Sequence, residues 1–211
     1  MSPNSASPLR DSPDALLLRR TRLFTSYGIH VDGSWNGESL QTLEEAAFLF
    51  FGLAPDDFQL WHWVENLSVK LEQIPAGGLT SRNLVRLNPN HLTLWTVIHE
   101  LAHAWDASQG WKISFRMAKD TGSRFEHPIL HRLHPADIEY WYAVGSPPPP
   151  CGVDANFNRL EDFAESVTAY LFPEEAAKKA EERGWGYQAF GFRHFHETPR
   201  GVWIARLFHH S

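Results

Sequence analysis

Apolar and polar positions along this chain repeat with two periods, short alternation early and helical spacing later. Ile29-His30-Val31-Asp32 reads as a short strand ended by the turn residues Asp32-Gly33. Leu40, Leu43, Ala47, Phe48 and Phe51 recur at helical spacing, with Glu38 and Ser39 at the start and Gly52 as a stop. Residues 58–64 are aromatic-rich and read as extended. Leu67-Ser68-Val69-Lys70-Leu71 alternates as a half-buried strand does. Ala76-Gly77-Gly78 predicts a turn, and Leu84-Val85-Arg86-Leu87 another strand, closed by Asn88-Pro89.

From residue 92 to 106 the chain is mostly apolar and predicts one buried helix. Asn90 or Thr93 can cap it, and Gly110 lies just past its end. Residues 113–134 show no regular pattern, with a turn near Thr121-Gly122-Ser123. Residues 136–144 predict a helix, and the prolines of 147–150 an extended stretch. Residues 160–171 form a second strong helical pattern stopped by Phe172-Pro173. A short charged helix over 174–183 ends at Gly184, and a last helix runs over 200–210. Residues 1–13, rich in Ser and Pro, read as a disordered tail. There is no internal repeat. The order predicts an α+β fold over 14–211: a small sheet-containing N-terminal lobe (14–110) and a mainly helical C-terminal lobe (111–211). A cleft between them would be the natural site.

Composition narrows the function classes. The 211 residues are 43% hydrophobic and 21% charged, enough for one substantial core. A formal charge of -6 leaves no basic excess for phosphates, so nucleic acid is not an expected partner. Nine Trp can serve both a core and a groove lining. The single cysteine, Cys151, excludes an internal disulfide framework and a Cys-based zinc site. No apolar run approaches a membrane span. Leu16-Leu17-Leu18 is too short for a signal-peptide core, and Arg19-Arg20 follows it instead of preceding it. The expectation is a soluble, cytoplasmic protein with no membrane partner. Export by a route that needs no such signal stays open.

The sharpest chemistry is His99-Glu100-Leu101-Ala102-His103. Two histidines four apart lie one turn apart on one helix face, where both imidazoles can reach a single Zn²⁺. Glu100 stands beside them as a general base. A catalytic zinc takes three protein ligands and leaves a fourth position for water. Position 109, where one extension of the motif places a third His, is Gln109. The remaining source is an acid on a later helix. Leu160-Glu161-Asp162-Phe163-Ala164-Glu165 carries two, Glu161 and Glu165, four apart on one face, where a cation offsets their repulsion. Glu161 is the preferred third ligand. Glu165 is preferred as an outer acceptor for the free N–H of His99 or His103, and the reverse assignment stays open.

HELAH followed by a helix bearing Glu-Asp-Phe-Ala-Glu resembles the gluzincin zinc metallopeptidases, in particular their small lethal-factor-like members. The stretch from Gly28 to Trp35, with the helix and two strands after it, is similar to their N-terminal lobe. The resemblance covers about residues 27–172, its specific part being the ten residues of the two motifs. It implies a zincin-like fold with His99, His103 and Glu161 as zinc ligands, Glu100 as base and Glu165 as support. It implies hydrolysis of a peptide or protein substrate by a zinc-activated water. The chain departs from the family at one point: residues 152–160, before the Glu ligand, contain no Tyr to stabilise an oxyanion. Tyr140, Tyr142, Tyr187, His194 and His196 are the candidates for that task. An extended substrate is expected to pair with strand 84–87. Two other readings stand beside this one: a non-catalytic zinc-binding or interaction protein that keeps the fold, and a hydrolase of some other bond. Asp106, the His127, His131 and His134 set, and Cys151 read as a helix-end polar residue, a polar loop and an inert thiol.

Overall fold

The computed structural model describes residues 12–53, 67–122, 124–125, 140–141, 158–184 and 191–209. The chain divides into two compact units, Met1–Ala104 and Trp105–Ser211. The fold is α+β, with a small mixed four-stranded sheet in the first unit and mainly helices in the second.

The described part of the first unit begins at Ser12, with α1 over Pro13–Tyr27, and residues 1–11 of the expected tail lie outside the described residues. Ser12 Oγ accepts the amide of Ala15, Pro13 occupies the first turn, and Gly28 ends the helix at φ +64°. Leu23 alone is buried on this helix, so its apolar stripe is weak. Arg20 donates to the carbonyls of Val31 and Gly33, and Arg19 and Arg22 pair with Glu44, tying α1 to the next strand and the next helix.

β1 (Ile29–Asp32) leads into α2 (Gly37–Gly52), capped by Asn36, whose side chain accepts the Ser39 amide at 2.8 Å. α2 buries Leu40, Leu43, Ala46, Ala47, Phe50 and Phe51. Each of these larger apolar side chains contributes about 1.5–3 kcal/mol by leaving water. Then come β2 (Leu67–Leu71), β3 (Gly78–Ser81) and β4 (Leu84–Leu87), in sheet order β1-β2-β4-β3. β1 and β4 run parallel to β2, and β3 runs antiparallel to β4, with Thr80 opposite Val85.

The structure corrects two expectations in this sheet. The turn read at Ala76-Gly77-Gly78 gives way at Gly78 to a strand, β3. β4 lies inside the sheet with a neighbour on either side, so its hydrogen-bonding edges are taken and no extended substrate can pair with it. Among the described strands the free edge on that side belongs to β3. The β3–β4 turn puts Arg82 at φ +52°, a conformation that Gly or Asn more often supplies.

α3 (Leu94–Ser108) carries the histidines and spans the point of division. Thr93 caps it, accepting the Thr96 amide at 3.1 Å, and Gly110 lies past its end at φ +62°. The second unit contains α4 (Lys112–Asp120), a two-stranded pair β5 (Arg124–Phe125) and β6 (Tyr140–Trp141), α5 (Arg159–Leu171), α6 (Pro173–Glu182) and α7 (Pro199–His209). Its core gathers Trp105, Phe163 and Phe208, with ring centroids 5.9 and 5.2 Å from Trp105. α4 falls in the stretch expected to be irregular. The described part of 136–144, Tyr140–Trp141, is paired as a strand with Arg124–Phe125, not helical, in keeping with the strand preference of adjacent aromatics. Residues 58–64, the prolines of 147–150, Cys151 and the three histidines 127, 131 and 134 lie outside the described residues. Among the described residues no helix is long and apolar enough to cross a membrane.

Candidate metal centre

α3 is apolar on nearly all sides, burying Val97, Ile98, Leu101 and Ala102, so the polar residues of the motif are held in a largely dry setting. His103 is 7% exposed and Glu100 5%. His99 and His103 turn their Nε2 atoms toward each other at 3.0 Å, with rings at 83°. Nitrogens held tetrahedrally by one zinc ion stand about 3.3 Å apart. The pair is therefore already near the spacing that a shared ion requires.

The third donor comes from α5. Asn158 caps that helix, its Oδ1 accepting the Leu160 amide at 2.8 Å, and Glu161 and Asp162 occupy the first turn, where the helix dipole favours negative charge. The ligand atoms of His99, His103 and Glu161 all lie within 4.8 Å of one another. Two imidazoles and a carboxylate are a donor set that zinc accepts, so these residues fit the ion the sequence implies. Glu165 is outside that group, one turn along the same helix, and is 2% exposed.

Asp162, next to Glu161 in the same turn, pairs with Arg200. Its carboxylate accepts two hydrogen bonds from Arg200 on α7, from Nε at 2.6 Å and from the terminal nitrogen at 2.7 Å. Both side chains are essentially buried. This pair fixes the first turn of α5, and so the backbone that carries Glu161, against α7.

Glu100 is held by β3. Thr80 Oγ1 donates to Glu100 Oε2 at 2.5 Å and lies 3.2 Å from the Glu100 carbonyl. Gly78, two residues earlier on the same strand face, lies directly against the Glu100 carboxylate. The sequence pattern read Gly78 as a turn residue only and did not single out Thr80. The available signal was Gly78-Leu79-Thr80-Ser81, four residues of weak alternation behind Gly77.

Asp106 is fully buried and is not among the candidate ligands. Its Oδ1 accepts the amides of Ile113 at 2.9 Å and Ser114 at 3.1 Å, capping α4 from the preceding helix. The residue at the usual cap position, Trp111, has φ +63° and makes no side-chain cap bond. Of the oxyanion candidates, Tyr142 and Tyr187 lie outside the described residues, and of Tyr140 only the backbone is described. His194 pairs with Glu197 at 3.5 Å, and the His196 ring sits 4.5 Å from that of Tyr170.

No family model matches the chain, and no curated protein or solved structure matches it.

Proposed function

We propose that this chain is a zinc-dependent metallopeptidase of gluzincin type with a zincin-like fold, acting on peptide or protein substrates. One observation carries the reading: His99 and His103 from an HExxH helix and Glu161 from a second helix converge within 4.8 Å, with Glu100 beside them. His99, His103 and Glu161 hold the ion, and Glu165 accepts the outer N–H of a ligand histidine. When bound, zinc supplies Lewis acidity, polarising the substrate carbonyl and acidifying a water. Glu100 would serve as the general base, taking a proton from the attacking water and passing it to the departing amine. The free edge of β3 offers backbone groups to an extended substrate.

The test is zinc content together with cleavage of a library of internally quenched fluorogenic peptides. The wild type binds one zinc and cleaves. Glu100→Gln keeps its zinc and loses about 10²–10⁴-fold in rate. Glu165→Ala weakens zinc binding about 10–100-fold, and Glu161→Ala weakens it further. Wild type and Glu100→Gln both binding zinc while neither cleaves any peptide would sink the peptidase reading in favour of a zinc-binding protein without catalysis. A larger loss in Glu165→Ala than in Glu161→Ala would exchange the roles of the two carboxylates.

A further inference from the structure

We propose that Thr80 and Gly78 on the edge strand are positioning residues for Glu100, together fixing where its carboxylate stands during the proton transfer. The proposal rests on the peptidase reading above and concerns the side-chain positions of Thr80 and Gly78, to which that reading assigns no part. Two independent observations carry it.

The first is the hydrogen bond from Thr80 Oγ1 to Glu100 Oε2, at 2.5 Å. A hydroxyl bonded to a carboxylate at this separation is charge-assisted and stronger than a neutral pair. Thr80 is β-branched and stiff about χ1, and its backbone is fixed by pairing opposite Val85. The donor therefore cannot follow the carboxylate if the latter turns.

The second is the missing side chain at Gly78. A Cβ placed there would lie 2.5 Å from Glu100 Oε1 and 2.6 Å from Cδ, closer than atoms can approach. The backbone of Gly78 is held opposite Leu87 in the β3–β4 ladder. Glu100 itself is 5% exposed, so the room to give way is small. Residues two apart on a strand face the same side, so one strand addresses both carboxylate oxygens. Thr80 holds Oε2, and Gly78 leaves space for Oε1.

A general base works only when its oxygen is within hydrogen-bond reach of the proton it takes. A misplacement of about 1 Å costs roughly 10²-fold in rate. Without Thr80 and Gly78 the carboxylate is free to rotate about its side-chain torsions or is pushed aside. Neither Thr80 nor Gly78 belongs to the group His99, His103 and Glu161, so their replacement leaves that donor set in place. The signature is thus a loss in kcat with KM and zinc affinity held.

The experiment compares zinc-loaded wild type, Thr80→Val, Thr80→Ser and Gly78→Ala on the library peptide that wild type cleaves fastest. Zinc affinity is read by chelator competition. Thr80→Val keeps the branched shape and removes the donor; kcat is expected to fall about tenfold or more, with KM and zinc affinity within about threefold. Thr80→Ser returns the donor and recovers most of the lost rate. Gly78→Ala lowers kcat at least as far as Thr80→Val. Should Gly78→Ala fail to fold, the Thr80 pair still decides.

A second readout needs no activity. In metal-free protein, a double-mutant cycle of Thr80→Val with Glu100→Ala, read by urea unfolding, should show coupling of about fivefold in the unfolding constant, or about 1 kcal/mol. An unchanged kcat in folded, zinc-loaded Thr80→Val overturns the proposal. So do a Thr80→Ser variant as slow as Thr80→Val, a parallel fall in zinc affinity, and a cycle without coupling. A wild type that cleaves nothing while the cycle shows coupling fails the peptidase reading instead, leaving the pair as a tie between strand and helix.

Discussion

Replacing Arg200 by Met tests how the helix that carries Glu161 is held in place. Arg200 is 1% exposed, and both its hydrogen bonds to Asp162, at 2.6 and 2.7 Å, are made out of water. A hydrogen bond to a charged partner contributes about 1.5–3 kcal/mol, so the two together are worth about 3–6 kcal/mol before reorganisation. Arg200→Met also leaves the Asp162 carboxylate, 3% exposed, buried without its cation. Breaking a buried pair from one side costs about 3–5 kcal/mol. In a chain of this length that is a fall in Tm of about 6–20 °C. Urea unfolding of the metal-free protein measures it without contribution from the ion. Asp162→Leu should cost a comparable amount, because it leaves the Arg200 charge buried. The double variant Arg200→Met/Asp162→Leu should recover most of the loss, because a well-packed apolar pair replaces both charges. Glu161 precedes Asp162 in the same helical turn, so Arg200→Met should also weaken zinc binding, read by chelator competition, while the double variant regains part of it. A single variant losing less than about 1 kcal/mol would refute this account of the pair. A double variant losing the full sum of the two singles would refute it as well.

Asp106→Ala should destabilise the metal-free protein by about 1–3 kcal/mol in urea, because two buried amides at the start of α4 lose their acceptor. Asp106→Asn, which keeps a carbonyl oxygen there, should cost less; equal losses in the two variants would mean that the cap is not the cause. Glu72 should show in the acid limb of stability. Its carboxyl is held below its ordinary value chiefly by the hydrogen bond from Lys70, with Arg86 adding to the attraction. A carboxyl lowered in the folded state stabilises above its unfolded pKa of about 4.3, and that contribution is lost as pH falls through the lower folded value. Glu72→Gln should therefore flatten the decline in stability below about pH 4 and weaken its dependence on salt; an acid limb identical to wild type would rule Glu72 out as a contributor.

What could be read in the sequence was what local spacing encodes. The HExxH spacing puts His99 and His103 on one face without help from the rest of the chain, and the structure brings their Nε2 atoms to 3.0 Å. β1, β2 and β4 announce themselves through alternation or apolar runs next to turn residues, and α2, α3, α5, α6 and α7 through period and caps. Glu161 was reachable because Glu161 and Glu165 stand four apart on one face of a helical segment, where a nearby cation offsets their repulsion. Two of the misses, α4 and β3, share a physical cause: the residue that shapes the element is not where the sequence rules look for it. α4 has Trp111 at its cap position, and its acceptor is Asp106 in the preceding helix. The β3–β4 turn, Arg82-Asn83, places Arg82 and not Asn83 in the left-handed conformation and has no Gly, so the usual Asn-Gly or Asp-Gly hairpin signal is missing and β3 goes unseen. α1 had its signals, Ser12-Pro13-Asp14 and Gly28, but with only Leu23 buried its apolar stripe was too thin to register.

The missed β3 matters most for function. A motif confined to one helix can specify which residue is the base but not what orients it. The proposed orienting groups, Thr80 and Gly78, precede Glu100 by 20 and 22 positions, on a strand joined to β4 by a turn with Arg82 at positive φ. Orientation of this base is therefore a property of the tertiary fold, whereas its identity is a property of the helix. On the proposed peptidase reading, the chain could keep HELAH and bind zinc and still lose turnover through a change in the hairpin. Thr80→Val, with the metal retained and turnover lost, is the variant in which those two properties separate.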